Sequence, residues 1–371
     1  MNKFAIGALL TAFCVALPVT AVQAKESVRK TSVKKVKGEG KAKAARLPLR
    51  VAAAPDAERK VRRVITVNGK RKVVYQRLLT AAPALASPTM GELAGLGLTP
   101  DPLALQSNVA YVLDQANSEV LFEKNANVAL PIASITKMMT GLVVVEANQD
   151  MDEVLSITDD DIDQEKHTGS RLKVGTQLTR ASMLQLALMS SENRAASALG
   201  RNYPGGLPAF VEAMNSKARS LGMSDTYYVD SSGLSKRNMA SARDLAKLAM
   251  AAYQHPVLRE YSTAPKAVVE ASGRPMHFGT TNRLIATPGW EIGLQKTGFI
   301  NEAGRCLMMQ AVIQGRAVIM VLLDAKGSAA RAADAGRVRK WLEAIKPSSI
   351  IGASTSVGSG ATAPQAYSSG M

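Results

Sequence analysis

Cysteine is scarce enough to settle two questions. The chain of 371 residues holds only Cys14 and Cys306, so no disulfide framework can staple it. Cys14 falls inside an N-terminal apolar run. Cys306 is followed by Leu307 and Met308, the surroundings of a buried, inert thiol. Histidine is nearly as rare. His167, His255 and His277 lack the close spacing of a two-His metal motif, so no metal is expected. All three read as surface or packing residues; spacing alone leaves a Ser-His-Asp triad open, but nothing local supports one. Beyond the N-terminus no stretch offers the roughly 20 apolar residues that crossing a bilayer needs.

The N-terminal run carries its own signal. Lys3 precedes the apolar segment Phe4–Leu17, Pro18 interrupts it, and Val22-Gln23-Ala24 supplies small residues before Lys25. That order predicts a signal peptide over 1–24, cleaved on export; the alternative is an uncleaved anchor. Phe13, rather than a small residue, precedes Cys14, which argues against a lipoprotein cysteine.

Charge is strongly one-sided only near the start. Residues 25–77 carry 18 Lys/Arg against 4 Asp/Glu, whereas residues 78–371 carry 27 against 26. The basicity belongs to a leader and the body is nearly neutral. No nucleic-acid partner is expected, because such a partner calls for basic residues lining a folded face. Residues 25–60 lack periodicity and read as a solvated tether. Within the leader, Arg63–Val67 and Lys70–Tyr75 flank Asn68-Gly69, a strong hairpin signal. Residues 78–105 read as an Ala/Leu/Pro/Gly-rich connector, and 347–371 as a disordered Ser/Gly/Ala/Thr tail.

Residues 106–346 suffice for one large domain or a domain with a subdomain. Ala110–Asp114 and Glu119–Glu123 predict a hairpin. Ser134 to Ala147 is apolar nearly all round, the pattern of a buried helix. Further helices are expected over Leu178–Leu199 with Thr179 as N-cap, over Leu207–Leu221, and over Ser241–Tyr253 with a Ser241…Asp244 cap. Strands follow at Ile292–Phe299, Cys306–Ile313 and Ala317–Leu323, then a helix over Ser328–Ile345. Strands first and last with helices between predict an α+β fold, an antiparallel sheet with a helical cluster inserted.

Three short motifs carry chemistry. Ser134 and Lys137 open the buried helix at i, i+3, on one face and within hydrogen-bond reach. A serine hydroxyl needs a base, and lysine becomes one only if burial or a nearby cation lowers its pKa from about 10.4. The pattern alone is weak: Ser27…Lys30 and Ser32…Lys35 repeat it by chance in the leader. Ser191-Glu192-Asn193 falls at a helix junction, where a second serine can pass a proton and the amide can orient substrate; alone it could equally be a helix cap. Lys296-Thr297-Gly298 lies on a predicted strand. Its ammonium and hydroxyl suit a substrate carboxylate, and Gly298 leaves room for an extended peptide along the strand edge; alone it is a surface lysine beside a glycine bulge.

The order Ser-x-x-Lys, Ser-x-Asn, Lys-Thr-Gly on helix start, helix junction and strand is far more specific than any one part. With Pro131–Thr140, Leu188–Ala196, Tyr203–Gly206, Gln295–Phe299 and Ala303–Leu307, it resembles the low-molecular-mass penicillin-binding proteins of the D-Ala-D-Ala carboxypeptidase/endopeptidase family. Within that family it is most similar to the small periplasmic endopeptidases of the penicillin-binding protein 7 type. The resemblance runs from about Asn108 to Lys346 and implies a serine β-lactamase/DD-peptidase-like fold. It implies Ser134 as the acylated nucleophile and Lys137 as its proton acceptor. Ser191 and Asn193 would complete the proton network, and Lys296, Thr297 and Gly298 would bind substrate. The backbone N–H groups of Ser134 and Phe299 would form the oxyanion hole. No cofactor is implied. The implied partners are peptidoglycan stem peptides in the periplasm and β-lactams as covalent inhibitors; the basic leader is expected to touch anionic envelope polymers.

Two alternatives share the nucleophile. A carboxypeptidase would remove a terminal D-Ala, whereas an endopeptidase would cut the D-Ala–diaminopimelate cross-link. A class A β-lactamase deacylates through a glutamate, which the resemblance places in a Glu-x-x-x-Asn pattern. Glu192, Glu212, Glu260, Glu270 and Glu291 are the glutamates between Ser191 and Lys296, and none fits it.

Overall fold

The computed structural model describes residues 60–67, 70–77, 87–271 and 273–345. The signal peptide over 1–24, the tether up to residue 59, the Asn68-Gly69 turn and the tail over 347–371 lie outside the described residues. The chain divides into two compact units, Met1–Thr80 and Ala81–Met371. In the first, β1 (Lys60–Val67) and β2 (Lys70–Arg77) pair antiparallel from Val67↔Lys70 to Lys60↔Arg77.

The second unit begins before residue 106. Thr89 caps the short helix α1 (Met90–Leu93), and its hydroxyl donates to Asp324 at 3.0 Å. Asp101 accepts the backbone N–H groups of Leu103 and Leu105 and pairs at 2.8 Å with Lys124, both side chains 5% exposed. Residues 87–105 therefore pack onto the body rather than serving as a free connector. Composition could not reveal partners that lie 19 to 235 residues away in sequence.

Along the body, β3 (Ser107–Asp114) and β4 (Val120–Lys124) form the expected hairpin. The short β5 (Leu130–Pro131) leads into the buried helix α2 (Thr136–Glu146). A small ribbon, β6 (Val154–Ser156) with β7 (Gln177–Thr179), precedes α3 (Arg180–Met189), which Thr179 caps by accepting the Ser182 N–H. The single helix expected over Leu178–Leu199 is two, because α4 (Asn193–Arg201) starts anew after a break at Ser190–Glu192. Then come α5 (Gly206–Ser220), β8 (Met239–Ala240), and α6 (Ala242–Tyr253), whose Ser241 cap accepts the Asp244 N–H. Helix α7 (Pro256–Thr263) and the hairpin β9 (Lys266–Ala271) with β10 (Arg274–Gly279) follow. The last strands, β11 (Glu291–Ile300), β12 (Gly304–Ile313) and β13 (Arg316–Ala325), precede the closing helix α8 (Ser328–Ala344).

The five-stranded antiparallel sheet has the order β11-β12-β13-β3-β4. Both faces are covered, which explains why its central strands read as continuous apolar runs rather than alternating ones. Tyr111, Met308 and Val321 face the helical cluster with α2 and α6, while Val112, Leu307 and Met320 pack against Val338 and Leu342 of α8. The first and last strand groups thus meet in one sheet, β13 beside β3, with the helices inserted between them. Strand β11 stays on the edge. Among the described residues no helix is long and apolar enough to cross a membrane.

Candidate active site

Local packing fixes the nucleophile before chemistry enters. Ile132 donates its N–H to Asn238 O at 3.1 Å, anchoring the approach. Ala133–Ile135 then make a single 3-10 turn, with Ala133 at φ 47°. Such a left-handed alanine is strained, and strain of this kind gathers at functional sites. Helix α2 begins at Thr136, whose hydroxyl donates back to Ala133 O at 2.8 Å. Ser134 is thereby held in the turn that leads into the helix, while every residue from Thr136 to Val144 is buried.

Lys137, fully buried, places Nζ 2.9 Å from Ser134 Oγ, 2.8 Å from Asn193 Oδ1 and 2.6 Å from the carbonyl of Ser232. Two of these neighbours can only accept. A neutral amine has two N–H groups and one lone pair, so with both protons engaged its lone pair faces the serine hydroxyl. The electrostatics agree. Burial pulls the Lys137 pKa down to about 7, against the opposing charges of Asp230 and Glu192.

The break between α3 and α4 supplies the second serine. Leu186 O accepts the N–H groups of both Ser190 and Glu192 and the Ser190 hydroxyl. The chain therefore cannot continue as helix, and Ser191 is left at φ 63°. Its Oγ lies 2.9 Å from Lys296 Nζ. Lys296 is also fully buried, with its pKa well below the ordinary lysine value through desolvation first, then the charges of Lys137 and Arg331. Thr297 Oγ1 lies 2.6 Å from Thr281 Oγ1. At Gly298 a β-carbon would stand 2.8 Å from Ile132 O and 3.2 Å from Ser134 N, so a side chain would push strand and nucleophile apart. Phe299 follows, 47% exposed, with the Arg305 guanidinium 3.8 Å above its ring.

Ser134, Lys137, Ser191, Asn193, Lys296 and Gly298 thus meet at one locus, where α2, the α3–α4 break and β11 converge, with Thr297 and Phe299 flanking Gly298 on the strand. Sequence reasoning missed several others. Asp230 accepts the N–H groups of Ser232, Gly233 and Ser235, shaping the loop that brings Ser232 O to Lys137. The Asp230-Ser-Ser-Gly233 string was a turn signal of the Asx type. Arg331, on α8, donates to Cys306 O at 3.0 Å and adds positive charge near Lys296; nothing local in the sequence marked it. Glu192 makes no hydrogen bond to Ser134 among the described residues; it accepts from Ser170 at 2.6 Å, with Arg171 at 3.9 Å. Cys306 is buried and its thiol is pushed up to about 12, an inert group. Among the described residues no group of three or more His, Cys, Asp or Glu side chains could hold a metal ion.

Residues 97–327 match the family described as D-alanyl-D-alanine carboxypeptidase. The chain belongs to this family. It is a serine hydrolase of the penicillin-binding type. A relative from Pseudomonas aeruginosa named D-alanyl-D-alanine endopeptidase is 46% identical over 273 residues, covering 73% of this chain and 86% of its own. One of the same name from Escherichia coli is 41% identical, covering 65% of this chain and 79% of its own. Among solved structures, penicillin-binding protein D2 from Listeria monocytogenes, in a cefotaxime-bound form, superposes with a TM-score of 0.59 at 29% identity; the match covers 65% of this chain and 98% of that one. This peptidase shares that protein's fold, an antiparallel sheet with helices in an α+β arrangement.

Proposed function

We propose that this protein is a D-alanyl-D-alanine endopeptidase that opens D-Ala–diaminopimelate cross-links of peptidoglycan through an acyl-enzyme at Ser134. The observation that carries the proposal is the buried Lys137 amine, at a pKa near 7 and 2.9 Å from the Ser134 hydroxyl. Lys137 takes the hydroxyl proton as Ser134 Oγ attacks the D-Ala carbonyl carbon. The oxyanion that forms is met by the N–H groups of Ser134 and Phe299, each such donor being worth roughly 2.7–4 kcal/mol. The C–N bond then breaks and the leaving amine receives a proton by way of Ser191. Asn193 holds the amine of Lys137 on its other side. Lys296 and Thr297, with Arg331 behind them, form the positive end of the cleft where the carboxylate next to the scissile amide binds. Water afterwards cleaves the ester and frees Ser134.

The names of the relatives favour an endopeptidase, while the family's description keeps carboxypeptidase as the second reading. Incubation with purified cross-linked dimer and with monomeric pentapeptide separates them. Faster cleavage of the dimer is expected, and release of D-Ala from pentapeptide alone would overturn the endopeptidase assignment. The place of action proposed is the periplasm, reached through the 1–24 signal peptide. The +14 leader over 25–77 would there contact anionic envelope polymers. Salt-insensitive co-sedimentation with envelopes, equal with and without residues 25–77, would rule that contact out.

A further inference from the structure

The loop from Asp163 to Leu172 reaches from one wall of the cleft to the other. Asp163 sets its start, accepting the N–H groups of Glu165, Lys166 and Thr168 and the Thr168 hydroxyl. Its later residues are pinned to the helical wall. Asn193 donates to Thr168 Oγ1 at 3.0 Å, Ser170 to Glu192 at 2.6 Å, and Arg194 to Leu172 O at 2.8 Å. From that wall Lys166 crosses to the sheet wall and pairs with Glu302 at 2.6 Å, the two side chains 24% and 27% exposed. Glu302 sits in the turn between β11 and β12, which Met90 holds from behind by donating its N–H to Glu302 O at 2.9 Å.

The course of β11 decides which part of a substrate meets this bridge. Lys296 lies at the leaving-group end and Gly298 lies against the nucleophile turn, so the strand beyond Gly298 runs along the acyl side. Glu302 stands four residues further on, in the turn that follows the end of the strand at Ile300. A second observation sets Glu302 apart from an ordinary surface pair. Its Oε2 is buried with no hydrogen-bond partner among the described residues, although Lys166 and Lys236 hold the carboxyl below its usual range, Lys166 most strongly.

We propose that the Lys166–Glu302 pair is the acyl-side recognition site of the cleft. It opens to exchange partners with the zwitterionic end of the stem peptide's diamino acid, whose ammonium goes to Glu302 and whose carboxylate goes to Lys166. This inference rests on the peptidase function proposed above and names the chemistry of its acyl side. The diamino-acid end carries both signs on one carbon, matching the two charges the pair would give up. A neutral end would leave both protein charges without partners, and such unpaired groups are how a site rejects the wrong ligand.

The test compares purified cross-linked dimer whose acyl strand bears a free diamino-acid end with the same dimer acetylated on that amine and amidated on that carboxyl. The wild-type protein, Glu302→Gln and Lys166→Gln are assayed on both. The wild type is expected to favour the free end by about tenfold or more in kcat/KM, and each variant to bring that ratio near one. Labelled penicillin, which lacks the zwitterion, reports whether Ser134 is still competent in each variant. Equal cleavage of both dimers by the wild type would overturn the inference. So would variants that keep the preference, or that slow penicillin labelling and both dimers alike. A wild type that labels with penicillin yet cleaves neither dimer would instead refute the endopeptidase function, and this inference would fall with it.

Discussion

The α-carbon of Gly233 packs so closely on the nucleophile turn that a β-carbon there would stand 1.9 Å from Ala133 O and 2.8 Å from Thr136 Oγ1. Its φ of +81° is also one that other residues rarely adopt. Gly233→Ala must therefore separate the 230–235 loop from the turn that holds Ser134. The expected cost is about 1–3 kcal/mol from overpacking alone, with added strain from the backbone. Because Ser232 O would leave Lys137, acylation should fall by more than the stability loss accounts for. Thermal unfolding together with the rate of labelling by a fluorescent penicillin checks both. Unchanged labelling at unchanged Tm would contradict the packing argument.

Removal of the nucleophile and removal of its base have separable signatures. Ser134→Ala should fold normally and take no covalent label. Lys137→Met should keep the hydroxyl but slow acylation by about 10²–10⁴, the usual worth of a general base. In the wild type no glutamate hydrogen-bonds to Ser134 among the described residues, and Glu192 is engaged by Ser170 and Arg171. A penicillin ester should consequently persist. Intact mass after labelling, followed over hours, reads all three outcomes; rapid loss of the adduct would point to β-lactamase chemistry.

The pH dependence follows from the two buried lysines. Acylation requires neutral Lys137, so its rate should climb through a limb near pH 7 and then level off. Lys296 must stay charged to hold a carboxylate, and burial moves its deprotonation below the ordinary lysine range. The peptide rate should accordingly fall again on the alkaline side, giving a bell that a neutral ester substrate would not show. Stability takes the opposite sign from a stabilising ion pair. Between the folded and unfolded pKa values the unfolded chain binds more protons, so stability rises with pH from about 7 towards about 10. Lys137→Met should flatten part of that rise, as measured by Tm across pH.

The sheet, its hairpin β3–β4, the buried helix and the closing helix were legible because each leaves a local trace: a turn pair, an apolar run, a cap. The three motifs were legible for the same reason, and the fold then brought Ser134, Lys137, Ser191, Asn193 and Lys296 together. The rest depended on long-range packing. The break that turns Ser191 outward rests on three hydrogen bonds converging on Leu186 O, and the helical pattern continues through it. Arg331 acts on Lys296 from a helix 35 residues away, with no motif around it. The segment 87–105 read as linker because Asp101 and Thr89 look unremarkable until Lys124 and Asp324 are placed beside them.

Asp163 offers a way to perturb the cleft without touching a reacting group. Its carboxylate gathers four donors, and although burial opposes ionisation, the backbone and Thr168 hydrogen bonds hold its pKa below the usual carboxylate range. Asp163→Ala would leave three N–H groups and a hydroxyl without their acceptor, at a cost of about 1–3 kcal/mol for each one that stays buried. Water can reach part of this loop, so the total should lie near the lower end. Thr168 would then no longer steady Asn193, and Asn193 would no longer steady Lys137. Acylation by penicillin should slow while the acid limb near pH 7 broadens or shifts. A depressed carboxylate contributes its stability above the unfolded pKa and loses it as pH falls through the folded one, so the Tm gap between wild type and variant should shrink in acid. A gap that stays constant down to pH 3 would mean that the charge of Asp163 does not organise this loop.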